Sequence, residues 1–118
     1  MIRELLAILG ALPTVEIGRR RKGPGPLLRS LRLRGSQCIK RGERDRARLR
    51  RVIAAVDARF PDGGNCYRRA LLEIAVDPTA AREPLRLGLR PEGGARSGHA
   101  WLDSSGEPAG RYEIELSV

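Results

Sequence analysis

Cys66 and His99 are the residues of this chain whose types and settings suit nucleophilic chemistry, and His99 is its one histidine. Cys66 lies in Gly63-Gly64-Asn65-Cys66-Tyr67-Arg68-Arg69-Ala70-Leu71-Leu72, where two glycines and a capping asparagine precede an apolar helical run. His99 lies in Gly98-His99-Ala100-Trp101-Leu102-Asp103, which reads as the start of a strand. A thiol at a helix start and an imidazole on a strand are the parts of an activated cysteine nucleophile. Backbone N–H groups at a helix head, with the positive end of its dipole, favour a thiolate over a thiol and can later receive an oxyanion. Gly63 and Gly64 would let a substrate backbone approach with no Cβ in the way. Each residue alone has a plainer reading. A free cysteine is often a small buried hydrophobe, and a lone histidine is more often structural than catalytic.

The elements that must position this pair can be read in outline. Residues 2–12 (Ile2, Leu5, Leu6, Ile8, Leu9, Leu12) suit a short apolar helix. Residues 18–26 combine four adjacent cations with glycines and prolines, which predicts a solvated loop. Residues 27–41 alternate leucine and arginine, and periodicity leaves helix and strand both open. From Glu43 to Phe60 the reading is sharper: Leu49, Val52, Ile53, Val56 and Phe60 form one stripe of an amphipathic helix. Pro61-Asp62-Gly63-Gly64 ends it. Asn65 then caps a helix that Cys66 opens and Asp77-Pro78 closes. Leu85–Arg90 alternates as a strand, Pro91-Glu92-Gly93-Gly94 turns, and His99–Leu102 is the next strand. Ser104-Ser105-Gly106 turns again, and Arg111–Val118 is the last strand. Helices followed by a small antiparallel sheet make an α+β domain.

Composition narrows the function classes. The chain has 118 residues and a formal charge of +9, and 3% of its residues are aromatic. That length suits one core of aliphatic side chains. Residues 1–50 hold 14 Lys/Arg against 4 Asp/Glu, a net of +10, and residues 51–118 hold 9 against 10, a net of −1. The basic half suits docking to an acidic partner, nucleic acid or an anionic membrane, and the arginines of residues 43–60 read as a solvated face. A nucleic-acid-binding domain is the reading from charge alone, and the scarcity of aromatics argues against single-strand stacking. No run reaches membrane-spanning length, and no cleavage site follows the apolar start. Free thiols at Cys38 and Cys66 in a reducing cytoplasm are expected. Two distant cysteines and one histidine give no metal-ligand spacing, and the glycine pairs make no nucleotide-binding pattern, so no metal or cofactor is expected. Cys38 reads as structural.

Asn-Cys at a helix start, an alternating strand, a glycine-rich turn and a His-Ala-Trp strand together resemble the transglutaminase-like, papain-related cysteine peptidase superfamily. More narrowly, they resemble the leader peptidases of lasso-peptide biosynthesis. The resemblance covers about residues 45–118, and it sets a peptidase core at 43–118 behind a basic N-terminal segment at 1–42. It implies Cys66 as nucleophile, His99 as general base and then acid, and Trp101 beside the site; Gly64 and Asn65, next to Cys66 in the chain, are expected near the substrate with it. The expected substrate is a ribosomally made precursor peptide, and docking of an acidic leader is the sharper alternative for the arginines of residues 43–60. A leader-recognition protein and an ATP-dependent cyclase are the implied partners, and the reaction needs no metal or organic cofactor. In the family an aspartate about a dozen residues beyond the histidine completes a triad, whereas here that region reads Gly110-Arg111-Tyr112. A tight turn at Ser105-Gly106 would set His99 opposite about Tyr112, with Glu113 and Glu115 on the other face. Asp103, which alternation puts on the face of His99 two pleats along the strand, is the expected third member, with a slower Cys–His dyad, Asn65 or a partner's residue as the alternatives. A scaffold that kept the fold and lost catalysis is the alternative from another class.

Overall fold

The computed structural model describes residues 2–92, 95–105 and 114–117, with side chains over 2–88, 99–104 and at 117. Its first helix, α1, runs from Ile2 to Arg21, well beyond the expected end at residue 12. The reason is visible in its buried positions. Glu4, Ile8, Ala11, Val15 and Gly18 continue one helical stripe across Pro13. An interior proline forfeits a backbone hydrogen bond and costs about 3 kcal/mol. Here it points to solvent, and the stripe buried on both sides of it outweighs that penalty. The basic run read as a loop is therefore largely the last turn of α1, where Arg19, Arg20 and Arg21 face the negative end of the helix dipole.

Helix α2 spans Pro24–Ser36, with its prolines in the first turn, where a missing N–H costs nothing. Its buried residues Leu27, Leu28, Leu31 and Gly35 recur at helical spacing, so the open choice resolves as helix. Helix α3 covers Glu43–Asp57, burying Leu49, Ile53 and Asp57. Helix α4 covers Cys66–Val76 and is buried continuously from Ala70 to Val76, packing against α1, α2 and α3. Helices and the strand Ala95–Leu102 cover most of it, and its partly exposed residues Cys66, Tyr67 and Arg69 lie toward its N-terminal end. One cluster joins Ile8, Val15, Leu28 and Leu31 to Leu49, Leu71, Ile74 and Leu85, so residues 1–42 and 43–118 share a core.

Four helices are thus followed by an antiparallel sheet. Strand β1 spans Leu85–Glu92 and β2 spans Ala95–Leu102, each longer than expected, so His99 sits inside β2 rather than at its start. Strand β3 is Ile114–Ser117, and Arg111–Glu113 and Val118 of the expected last strand lie outside the described residues, as do Gly93-Gly94 and Gly106 of the two turns. The order is β2-β1-β3. Among the described residues the last strand pairs with β1 and not with the His99 strand, because β3 lies on the other side of β1. Leu85 and Leu87 pair with Leu102 and Ala100, and this leucine-rich row is the one in the core. Among the described residues no helix is long and apolar enough to cross a membrane, and both cysteines are free thiols.

Candidate active site

The loop before Cys66 is held from beneath by a carboxylate. Gly64 adopts φ +81°, a left-handed conformation that favours glycine. Its N–H and that of Asn65 both donate to Asp57 Oδ2, at 2.8 and 3.1 Å. A side chain on Gly63 would come within 3.1 Å of the Asp57 carbonyl, so the loop also passes close over the end of α3. Asn65 accepts the Arg68 N–H at 3.0 Å, the expected N-cap bond, and Cys66 begins α4 there.

Arg68 ties that loop to α1 and α3. Its side chain is fully buried, with Nη1 donating to Asp57 Oδ1 at 2.7 Å and Nη2 to Asp62 Oδ1 at 2.7 Å. Its Nε donates to Glu16 of α1, and its guanidinium lies 4.1 Å from the centre of the Phe60 ring. Burial alone would lower the pKa of Arg68, and the three carboxylates raise it above the ordinary value instead. The Arg68 hydrogen bond holds Asp62 below the usual carboxylate range. For Glu16, burial pushes upward, and the hydrogen bonds from Arg19 and Arg68 outweigh it, so the net direction is down.

Cys66 meets the sheet at its open edge. Among the described strands β2 has β1 on one side only, and the backbone groups on its other side need other partners. Cys66 Sγ accepts one of them, the Ala100 N–H, at 3.2 Å. His99, the residue before Ala100, is half-buried and stacks on Trp101, with ring centres 5.7 Å apart and planes inclined by 21°. Cys66, His99 and Trp101 line one open cleft of about 220 Å³, together with Arg50, Arg69 and Glu73. Glu73 is buried and paired with Arg50 at 3.2 Å and Arg46 at 3.5 Å. Burial raises its pKa despite those cations, and the nearby Asp77 adds to the rise. Ser104, just after β2, donates to Glu83 at 2.9 Å and accepts from Arg50 at 2.8 Å, which fastens the end of the His99 strand to α3.

The expected site residues divide. Cys66, His99 and Trp101 come together. Asp103 does not line the cleft: it is exposed beyond the end of β2, and its carboxylate accepts from Arg86 Nε at 2.9 Å. Asn65 serves as a cap, and Gly64 lies in the exposed turn of the loop. Tyr112 and Glu113 lie outside the described residues. The register alters the geometry expected around His99. His99 pairs with Gly88, and Gly88 pairs on its other side with Glu115, so Glu115 occupies the cross-strand row of His99 with a glycine between them. Sequence reading passed over Asp57 and Arg68. A signal existed, since Asp57 falls four residues after Ile53 on the α3 stripe, where a carboxylate must find a buried partner.

Among the described residues no three side chains are grouped as metal ligands. Comparison with protein-family models, curated proteins and solved structures finds no match.

Proposed function

We propose that the protein is a cysteine peptidase that removes the leader from a ribosomally synthesised precursor peptide, as the resemblance to the lasso-peptide leader peptidases implies. One observation carries the reading: Cys66 heads α4 with its sulfur against the backbone of β2, one residue from His99, and both line the same cleft. The Cys66 thiolate adds to the scissile carbonyl, and N–H groups at the head of α4 receive the developing oxyanion. The C–N bond then breaks, the amine leaves with a proton from His99, and a thioester remains. Water, giving a proton to His99, hydrolyses that thioester and restores the thiol. Stacking on Trp101 limits rotation of the imidazole, and Glu115, which backbone register sets in the row of His99, is the residue to test as its orienting partner. Arg69, the more exposed cation of the cleft, favours an acidic substrate segment there, whereas Arg50 is paired with Glu73. A leader-recognition protein that presents the precursor and a cyclase that takes the product are the partners this reading implies.

The second reading is a scaffold in which Cys66 serves only as an edge cap, and the Ala100 N–H bond to its sulfur favours it. Iodoacetamide labelling from about pH 5 to 9 separates the two, with Cys38 as the reference thiol in the same molecule. A peptidase labels at Cys66 about tenfold or more faster than at Cys38 near neutral pH, and His99→Ala removes the advantage. If Cys66 is no faster than Cys38, or is indifferent to His99, the peptidase reading falls and the scaffold stands.

A further inference from the structure

Helices α1 and α3 enclose a second concavity, larger than the cleft at Cys66 and sharing no lining residue with it. Arg50, Ile53 and Ala54 face the cleft, whereas Val52 and Val56 of the same helix line this groove. Its volume is about 740 Å³. From α1 come Leu5, Leu9 and Leu12, of which Leu5 is 38% and Leu9 47% exposed. With Phe60 beyond the end of α3, these side chains form an apolar floor left in contact with water. Such a surface on a small domain marks a docking site.

The rim says what docks there. Arg48, Arg51 and Arg59 border the groove, and among the described residues none of the three has a carboxylate partner. Neighbouring arginines differ: Arg46 pairs with Asp77, Arg50 with Glu73, and Arg68 with Asp57. We propose that the groove docks an acidic amphipathic helix of a partner protein, with its apolar side chains on the leucine floor and its carboxylates on these three arginines. A second copy of the chain suits the groove poorly, because a two-fold contact would set the same arginines against each other. A lipid surface takes apolar side chains that protrude, and these line a hollow. The inference is independent of chemistry at Cys66, and a Cys66→Ala protein is expected to dock the helix as well as wild type.

The test uses the full chain and a fluorescent peptide helix of about 14 residues, with leucines on one face and glutamates on the other. A matched peptide carries lysine for every glutamate, and binding is read by anisotropy. The expected result is saturable binding of the acidic peptide that weakens with salt. Binding weakens about tenfold or more for the lysine peptide, and likewise for Leu9→Glu. The pair Arg51→Glu with Arg59→Glu leaves the apolar floor intact and should reverse the preference between peptides, which keeps the test decisive if Leu9→Glu does not fold. Equal binding of both peptides, or binding untouched by either variant, overturns the proposal. So does an absence of peptide binding accompanied by a dimer that Leu9→Glu dissociates, or by flotation with phosphatidylserine vesicles.

Discussion

Replacing Arg68 by methionine tests whether the buried ion cluster beneath Cys66 holds the site together. Arg68 and Asp57 are both almost wholly withdrawn from water, their side chains 0% and 2% exposed. Methionine fills much of the volume and leaves the Asp57 carboxylate with the Gly64 and Asn65 N–H groups, and with the half-exposed Arg69 at 3.9 Å as its remaining countercharge. Breaking a buried pair from one side costs about 3–5 kcal/mol, and losing the contact with Phe60 adds about 0.5–1 kcal/mol. A domain of this kind typically holds about 5–15 kcal/mol in all, so the urea midpoint should fall steeply and Tm by roughly 10–20 °C. The Arg68→Met/Asp57→Asn double variant removes the stranded charge and should be less destabilised than the sum of the two single changes. Acid unfolding supplies a second check. Glu16 is held below its ordinary value in the folded protein, so its contribution is present above pH 4.5 and lost as pH falls through the folded value. Arg68→Met should flatten that loss. Amide exchange at Gly64 and Asn65 should quicken, since their acceptor no longer has Arg68 to fix it. A cost under about 1 kcal/mol, or strict additivity in the double variant, would refute the claim that this cluster fixes the loop.

Three further perturbations separate parts of the structure. Gly35→Ala would put a Cβ 1.9 Å from the Ile74 carbonyl oxygen where α2 crosses α4. The usual helix gain of about 1 kcal/mol should therefore reverse to a loss of about 2–3 kcal/mol in urea unfolding; a stabilised variant would contradict the crossing. Burial raises the Glu73 pKa, so the stability linked to its neutral form is present below the ordinary value of 4.5 and is lost as pH rises through the raised value. Glu73→Gln should unfold at higher urea than wild type at neutral pH, with the gap closing near pH 4, and a lower midpoint at neutral pH would show its ion pairs with Arg46 and Arg50 to be net stabilising. In a peptide-cleavage assay Glu115→Gln should lower kcat by about tenfold or more and move the pH profile, whereas Asp103→Asn should leave both nearly unchanged; the opposite pattern would restore Asp103 to the role first expected of it.

What was legible in the chain was what neighbours in sequence decide. The Asn65 cap needs only Arg68 three residues on and reads correctly from the residues. Helix α3 needs only its own period, although it ends at Asp57 rather than Phe60 and of its expected stripe buries only Leu49 and Ile53. Pro13 and the basic run after Gly18 misled, because their local penalties are outweighed by burial of Val15 and Gly18 against helices not yet placed. The return of β3 to β1 was hidden for a like reason, since a turn at Ser105-Gly106 reads as a hairpin whichever strand the chain later joins. The cleft divides along the same line. Cys66 and His99 announce themselves by type and by local setting, whereas the residues that hold them in place are partners across the fold. Asp57 reaches Gly64 and Asn65, Glu16 reaches Arg68, and Ser104 reaches Arg50. The candidate pair can therefore be named from motifs alone, but its geometry depends on α1 and α3. The basic N-terminal helix that charge alone would assign to docking is thus also a structural part of the site, because its Glu16 closes the cluster under the cysteine loop.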